Sequence, residues 1–163
     1  MMVDGVSRTA RESDPDFNAV TSVADLDDVL PGADYVVLIT PLTENTRGLF
    51  NANRFARMAP HARLLTLGRG ALVIEEDLIN ALRNKVIAGA ALDVFEQEPL
   101  PEASALWAIP NVIVSPHMSG DYIGFEEAMV ERFRINLQRY VNDEPLQNIV
   151  DKQAGFAAQS SPG

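Results

Sequence analysis

The run Tyr35-Val36-Val37-Leu38-Ile39, stopped by Thr40-Pro41, decides the fold. It is continuous, apolar and rich in β-branched side chains, the pattern of a parallel strand buried on both faces. Outward from it, strand-like segments recur at Leu64-Leu65-Thr66-Leu67, at 87–92 and at Val112-Ile113-Val114. Helical patterns separate them at 52–58 and 75–84, and a long helix follows from Phe125 to Val141 with Met129, Phe133, Leu137 and Tyr140 on one face. Upstream, residues 3–7 read as a short strand and 8–17 as a polar loop turning at Asp14-Pro15. A short helix is expected over 23–30, capped by Ser22 with Asp25 at N3 and ended by Pro31-Gly32. Strands alternating with helices imply an α/β, doubly wound parallel sheet, because parallel neighbours need a right-handed crossover. Residues 1–150 form the expected domain and 151–163 read as a tail.

Composition narrows the function classes. The 163 residues carry 13 Lys+Arg against 23 Asp+Glu, a net charge of −10, and 47% are hydrophobic. That is enough apolar content for one buried core, and the acidic balance argues against nucleic acid or an anionic membrane as partner. The sequence has no Cys, which removes disulfides and thiolate chemistry and makes the cytoplasm the default compartment. No segment approaches the roughly 20 apolar residues of a membrane span, and no secretory leader is evident.

In open α/β sheets ligands bind beyond the carboxyl ends of the strands. The residues expected there are Ser7-Arg8, Thr40-Pro41, Gly68-Arg69-Gly70, Asp93, and His117 followed by Ser119-Gly120. Arg69, between glycines that let a ligand approach the backbone, is either a carboxylate clamp or an exposed loop arginine. His117 suits proton transfer near neutral pH, or is a structural loop histidine; His61, beside Pro60, is read as structural. If Glu98 reaches His117, its carboxylate would orient the imidazole and favour the protonated form. Asp93 could accept a hydrogen bond from a ligand amide or cap the next turn.

The segments Thr40-Pro41-Leu42-Thr43, Leu67-Gly68-Arg69-Gly70, Asp93-Val94-Phe95 through Glu98-Pro99-Leu100, and Ser115-Pro116-His117 together resemble the D-isomer-specific 2-hydroxyacid dehydrogenases, with a texture similar to the glyoxylate and hydroxypyruvate reductases. The resemblance implies a Rossmann-like domain and hydride transfer between NADP or NAD and a small 2-keto or 2-hydroxy acid. It places Arg69, Glu98 and His117 at the family's catalytic positions and needs no metal. It assigns the cofactor to Ser7, Arg8, Thr40, Pro41, Leu67, Gly68, Asp93, His117 and Gly120, and implies a homodimer to which the stretch around Trp107 contributes. Arg8 at the end of an early strand favours NADP over NAD, unless it is simply exposed.

Against the family pattern, no Gly-x-Gly-x-x-Gly turn occurs in the sequence, and the first βα unit and the substrate domain are expected to be missing. The lost strand would be the central one, between a pair at Val3 and Tyr35 and a trio at Leu64, Ile87 and Val112. Its loss would expose two edges and leave the chain weakly stable or self-associating. A non-catalytic dinucleotide-binding or protein-interaction module of the same fold is the alternative.

Overall fold

The computed structural model describes residues 1–12, 14–153 and 155–157. Its main sheet holds four parallel strands in the order β3 (Tyr35–Leu38), β4 (Arg63–Thr66), β5 (Gly89–Leu92) and β6 (Val112–Val114). Two earlier strands, β1 (Gly5–Ser7) and β2 (Val20–Ser22), form a separate parallel pair. The Rossmann-like reading holds, with one correction: the strand at Tyr35 pairs with β4, and the strand near Val3 pairs with β2. Three-residue β2 (Val-Thr-Ser) is too short to carry a strand pattern of its own, and only Ser22 within it has a local signature, that of a helix cap. Ser22 does cap, accepting from the Ala24 N–H at 3.2 Å. The helical turn it opens breaks into 3-10 segments around α1 (Leu26–Val29), closing at Pro31-Gly32.

The register builds one side of the sheet into a core. Val36, Leu64, Ala90 and Val112 align across the four strands, followed by Leu38, Thr66, Leu92 and Val114. On this face lie α2 (Ala52–Phe55) and α3 (Glu75–Arg83), whose Phe55, Leu78, Ala81 and Leu82 pack with Leu64, Ala90 and Leu92. Spacing of Leu78, Ala81 and Leu82 puts all three on one stripe, while Glu75, Glu76 and Asp77 favour the positive N-terminal end of α3. Asn51 caps α2, and Asp77 Oδ2 accepts the Ala52 N–H at 2.8 Å, tying the two helices together.

The other face is bare. Val37, Leu65, Ala91 and Ile113 form the opposite row, and Val37 is 48% and Ile113 71% exposed. The expectation of a strand buried on both faces at Tyr35 is therefore corrected. Its sequence carries two apolar faces, but among the described residues only one is covered. The helix α4 (Phe125–Val141) forms with the expected bounds and buries no residue; Phe133 on its apolar stripe is 69% exposed. Exposed Trp107, in a 3-10 turn before β6, bonds through its indole N–H to Pro101 O at 2.9 Å. Across the boundary between the expected domain and tail, β7 (Val150–Asp151) pairs antiparallel with β8 (Phe156–Ala157); residues 158–163 lie outside the described ones. No helix among the described residues is long and apolar enough to cross a membrane.

An uncovered apolar row drives association through burial. The chain is expected to show concentration-dependent association in light scattering after size exclusion. The double variant Val37→Lys/Ile113→Lys should shift it toward monomer with an unchanged far-UV circular dichroism spectrum and a melting midpoint that no longer rises with protein concentration. A compact monomer at all concentrations would contradict this.

Candidate active site

The carboxyl ends of β3, β4, β5 and β6 carry the candidate residues, and the two loops nearest the chemistry meet through their main chains. A Cβ added to Gly70 would fall 1.9 Å from both the carbonyl carbon and oxygen of Phe95. One added to Gly68 would stand 3.0 Å from Thr40 O. The glycines around Arg69 thus admit neighbouring protein backbone, Gly70 the chain at Phe95 and Gly68 the carbonyl of Thr40. Beyond Gly70, the Glu75 N–H donates to Glu96 Oε1 at 3.1 Å and the Glu96 N–H donates to Glu75 Oε2 at 3.4 Å, fastening the loop after β5 to the start of α3. Burial, with the nearby Glu96 charge, pushes the Glu75 carboxyl up.

That loop presents Glu98 to His117. Glu98 Oε1 accepts the Phe95 N–H at 3.0 Å, and Glu98 Oε2 lies 2.7 Å from His117 Nδ1. The hydrogen bond from His117, then that from the Phe95 N–H, hold the Glu98 carboxyl below its ordinary range, with the Arg69 charge adding in the same direction. Arg69 itself is exposed, and its Nη1 donates to Gly68 O at 2.7 Å. Arg69, Glu98 and His117 are therefore gathered at one place.

Asp93 is 2% exposed, and both its oxygens serve the His117 loop. Oδ1 accepts from Ser115 Oγ at 2.5 Å and from the Met118 N–H at 2.9 Å, and Oδ2 accepts from the Ser119 N–H at 2.9 Å. Burial alone would raise this carboxyl, but the bonds from Ser115, Ser119 and Met118 outweigh it and keep it far below the ordinary range. Of the two sequence readings, the structure displays the turn-capping one. Ser115 went unread as a partner because its hydroxyl matters only once β6 is laid beside β5; the adjacent strand ends were the available signal.

The rest of the rim is looser. Thr46 Oγ1 organises the Thr40-Pro41 loop, donating to Pro41 O at 2.8 Å and accepting the Thr43 N–H at 2.7 Å. Leu67 is exposed, and nothing lies within 4 Å of the Cβ position at Gly120. Ser7 and exposed Arg8 end β1, in the separate two-stranded unit; Ser7 Oγ donates to Thr9 O at 2.6 Å. His61 pairs with Asp34 at 2.8 Å near the opposite, amino end of β4. No cluster of metal-ligating side chains occurs among the described residues.

Residues 1–119 match the family model described as D-isomer specific 2-hydroxyacid dehydrogenase, NAD binding domain. The chain belongs to that family. Among the family's curated members, glyoxylate/hydroxypyruvate reductase B of Citrobacter koseri is 50% identical over 107 residues, covering 66% of this chain and 32% of the relative. Glyoxylate/hydroxypyruvate reductase A of Klebsiella pneumoniae is 34% identical over 147 residues, covering 90% and 46%. The crystal structure of a family dehydrogenase from Xanthobacter autotrophicus, in complex with NADPH and MES, superposes with a TM-score of 0.81 at 39% identity, covering 94% of this chain and 62% of that one. An NADPH-dependent glyoxylate/hydroxypyruvate reductase from Sinorhizobium meliloti, in complex with NADP and sulfate, gives 0.82 at 35% identity, covering 94% and 49%. The chain thus spans a third to a half of the length of these curated family members.

Two outcomes follow from this geometry. Gly70→Ala forces the loop carrying Glu98 off its seat, and should cost about 1–3 kcal/mol or more in urea denaturation, the range of an overpacked site. Asp93 and Glu98 bind protons less readily folded than unfolded, so the stability they contribute is present above the ordinary carboxylate range and lost as pH falls through and below it. Glu75, raised, acts in the opposite sense just above its ordinary value. Glu98→Gln should therefore flatten the acid limb of a stability-versus-pH curve, and an unchanged limb would contradict the assignment.

Proposed function

We propose that this chain supplies the substrate-holding and proton-donating side of an NADPH-dependent reductase of small 2-keto acids, of which glyoxylate and hydroxypyruvate are the model substrates. The observation that carries the reading is the 2.7 Å contact between His117 Nδ1 and Glu98 Oε2 beside Arg69. With Nδ1 turned to Glu98, Nε2 is the ring nitrogen left to face a ligand, and in the imidazolium form it holds the proton that a developing alkoxide requires. One Arg69 nitrogen is engaged with Gly68 O, and the remaining donors of the fork are free to hold a substrate carboxylate and polarise the adjacent carbonyl.

The residues fit the nicotinamide end of the cofactor. Ile39 and Leu67 expose apolar surface at the strand ends beside Thr40-Pro41, and the space around Gly120 is open. Thr40, Pro41, Leu67, Gly68, Asp93, His117 and Gly120 would line that end, with Ser7 and Arg8 toward the ribose 2′ position. A glycine turn for the pyrophosphate is absent from the sequence. When bound, the reduced nicotinamide supplies the hydride. Arg8 supports NADP over NAD, and the NADPH and NADP complexes of the two structural relatives agree with that choice. A homodimer in a reducing, cytoplasmic setting accords with the exposed apolar surface and the lack of Cys. The same bare surface favours, as a second reading, a non-catalytic interaction module.

A thermal melt with rising NADPH separates the two, since a ligand of the folded state raises the midpoint by mass action. The midpoint should climb with NADPH, and glyoxylate should be reduced with loss of NADPH absorbance. His117→Ala should lower that rate about 10²–10⁴-fold. A midpoint unmoved by NADPH, or a rate indifferent to His117, overturns the catalytic reading.

A further inference from the structure

At the amino ends of β4, β5 and β6, the opposite end of the sheet from Arg69 and His117, the surface opens into a groove of about 610 Å³. That volume lies within the range of small-molecule sites. Its floor is apolar: Leu82 in the last turn of α3, Ile87 before β5 and Ile109 before β6 line it, and all three are buried. Main-chain contacts preset its shape. The Ala88 N–H donates to Ala62 O at 2.9 Å, and Asn111 Nδ2 donates to Ala88 O at 2.9 Å. A Cβ added to Gly89 would fall 2.6 Å from Asn111 O, so the segments entering β5 and β6 lie directly against each other.

Two cations border this apolar floor. Arg83 and Lys85 line the groove and are exposed, and among the described residues neither side chain has a hydrogen bond or ion pair. No carboxylate lines it among the described residues, in a chain of net charge −10. Lys85 also holds a strained backbone conformation, φ +56°. There α3 ends with the Val86 N–H on Ala81 O at 2.8 Å and the Lys85 N–H on Leu82 O at 3.2 Å, an arrangement whose left-handed residue is usually glycine. Arg83 already supplies the cation that a helix carboxyl end favours, so that end does not require a second one in a conformation costly to lysine.

We infer that this groove is a second ligand site, which takes a carboxylate with an apolar body, its head on Arg83 and Lys85 and its body on Leu82, Ile87 and Ile109. Burial of the body supplies affinity, and the two cations select for negative charge. A small 2-keto acid has too little apolar surface to use this floor, so the ligand class differs from the one proposed at Arg69. The site goes beyond the proposed function and does not rest on it.

Amide NMR of the full isotope-labelled chain, titrated with 2-naphthoate and separately with octanoate, tests this. The Ala88, Ile109 and Asn111 signals should shift saturably with a Kd of about 1 mM or tighter. The neutral 2-naphthamide should bind about three- to tenfold more weakly than the acid. Lys85→Gly removes the cation and suits the left-handed turn, so it should raise the melting midpoint while weakening 2-naphthoate about three- to tenfold. Arg83→Gln should weaken it by a similar factor, and Ala108→Phe, which fills part of the groove, should block both probes.

Absence of a saturable shift at those three amides with either probe overturns the inference. So do equal affinities for 2-naphthoate and 2-naphthamide, or an affinity that neither Lys85→Gly nor Arg83→Gln changes. Shifts confined to Gly70 and His117 would place the carboxylate at the Arg69 end, and shifts confined to Val37 and Ile113 would mark adsorption on the bare sheet row; either overturns it as well. If one variant does not fold, the remaining ones decide by the same amides. A chain without turnover or NADPH binding would end the catalytic reading and leave this result standing, because neither is measured.

Discussion

The main chain at Phe95 lies on Gly70 so closely that one methyl group cannot be placed between them. Everything chemical in the molecule hangs from that crossing. Upstream of Gly70 is Arg69, and beyond Phe95 is Glu98, so the seat that joins the two loops also sets the separation of guanidinium and carboxylate. The parallel register of β4 with β5 brings the loops to the same level, and the paired bonds of Glu75 with Glu96 hold the second loop down on α3. Hydrophobic burial on the helix-covered face supplies the rigidity behind it, through Leu64, Leu92, Leu78 and Leu82.

Electrostatics completes what packing begins. Asp93 is a charge taken almost fully out of water, which is tolerable only when hydrogen bonds replace the lost hydration. Three donors from the His117 loop do so, and the same bonds hold that loop in shape. Glu98 repeats the arrangement at the surface with one backbone and one imidazole partner. The two acids stand at the start and end of a six-residue loop, and each trades its proton affinity for geometry.

Much of this was legible in the sequence. The β-branched run at Tyr35, the amphipathic spacing of Leu78, Ala81 and Leu82, and the Ser22 cap each carry a local physical signature, and the strand ends follow from their order. The Glu98–His117 contact was readable as a condition. What stayed hidden depends on contacts between segments distant in the chain. Val20-Thr21-Ser22 is a strand only because β1 lies beside it; Gly70 serves Phe95 twenty-five residues on; Ser115 gains its role from Asp93. The two-sided burial expected at Tyr35 failed for a different reason. Apolar alternation reports what both faces can bury, not what lies against them, and Val37 and Ile113 face open space.

The crossing at Gly70 also sorts the changes this region can absorb. Because the contact is made by backbone atoms, the exposed side chain of Gln97 can be exchanged without altering how far Arg69 stands from Glu98, whereas Phe95 is held in the core and Glu96 is bonded to the start of α3. Adding or deleting a residue between Asp93 and Glu98 cannot be absorbed in that way, since it slides the carboxylate past the imidazole. The loop is thus permissive at its exposed tip and rigid in length, and its surface chemistry at Gln97 can diversify with the spacing of Arg69 and Glu98 held constant.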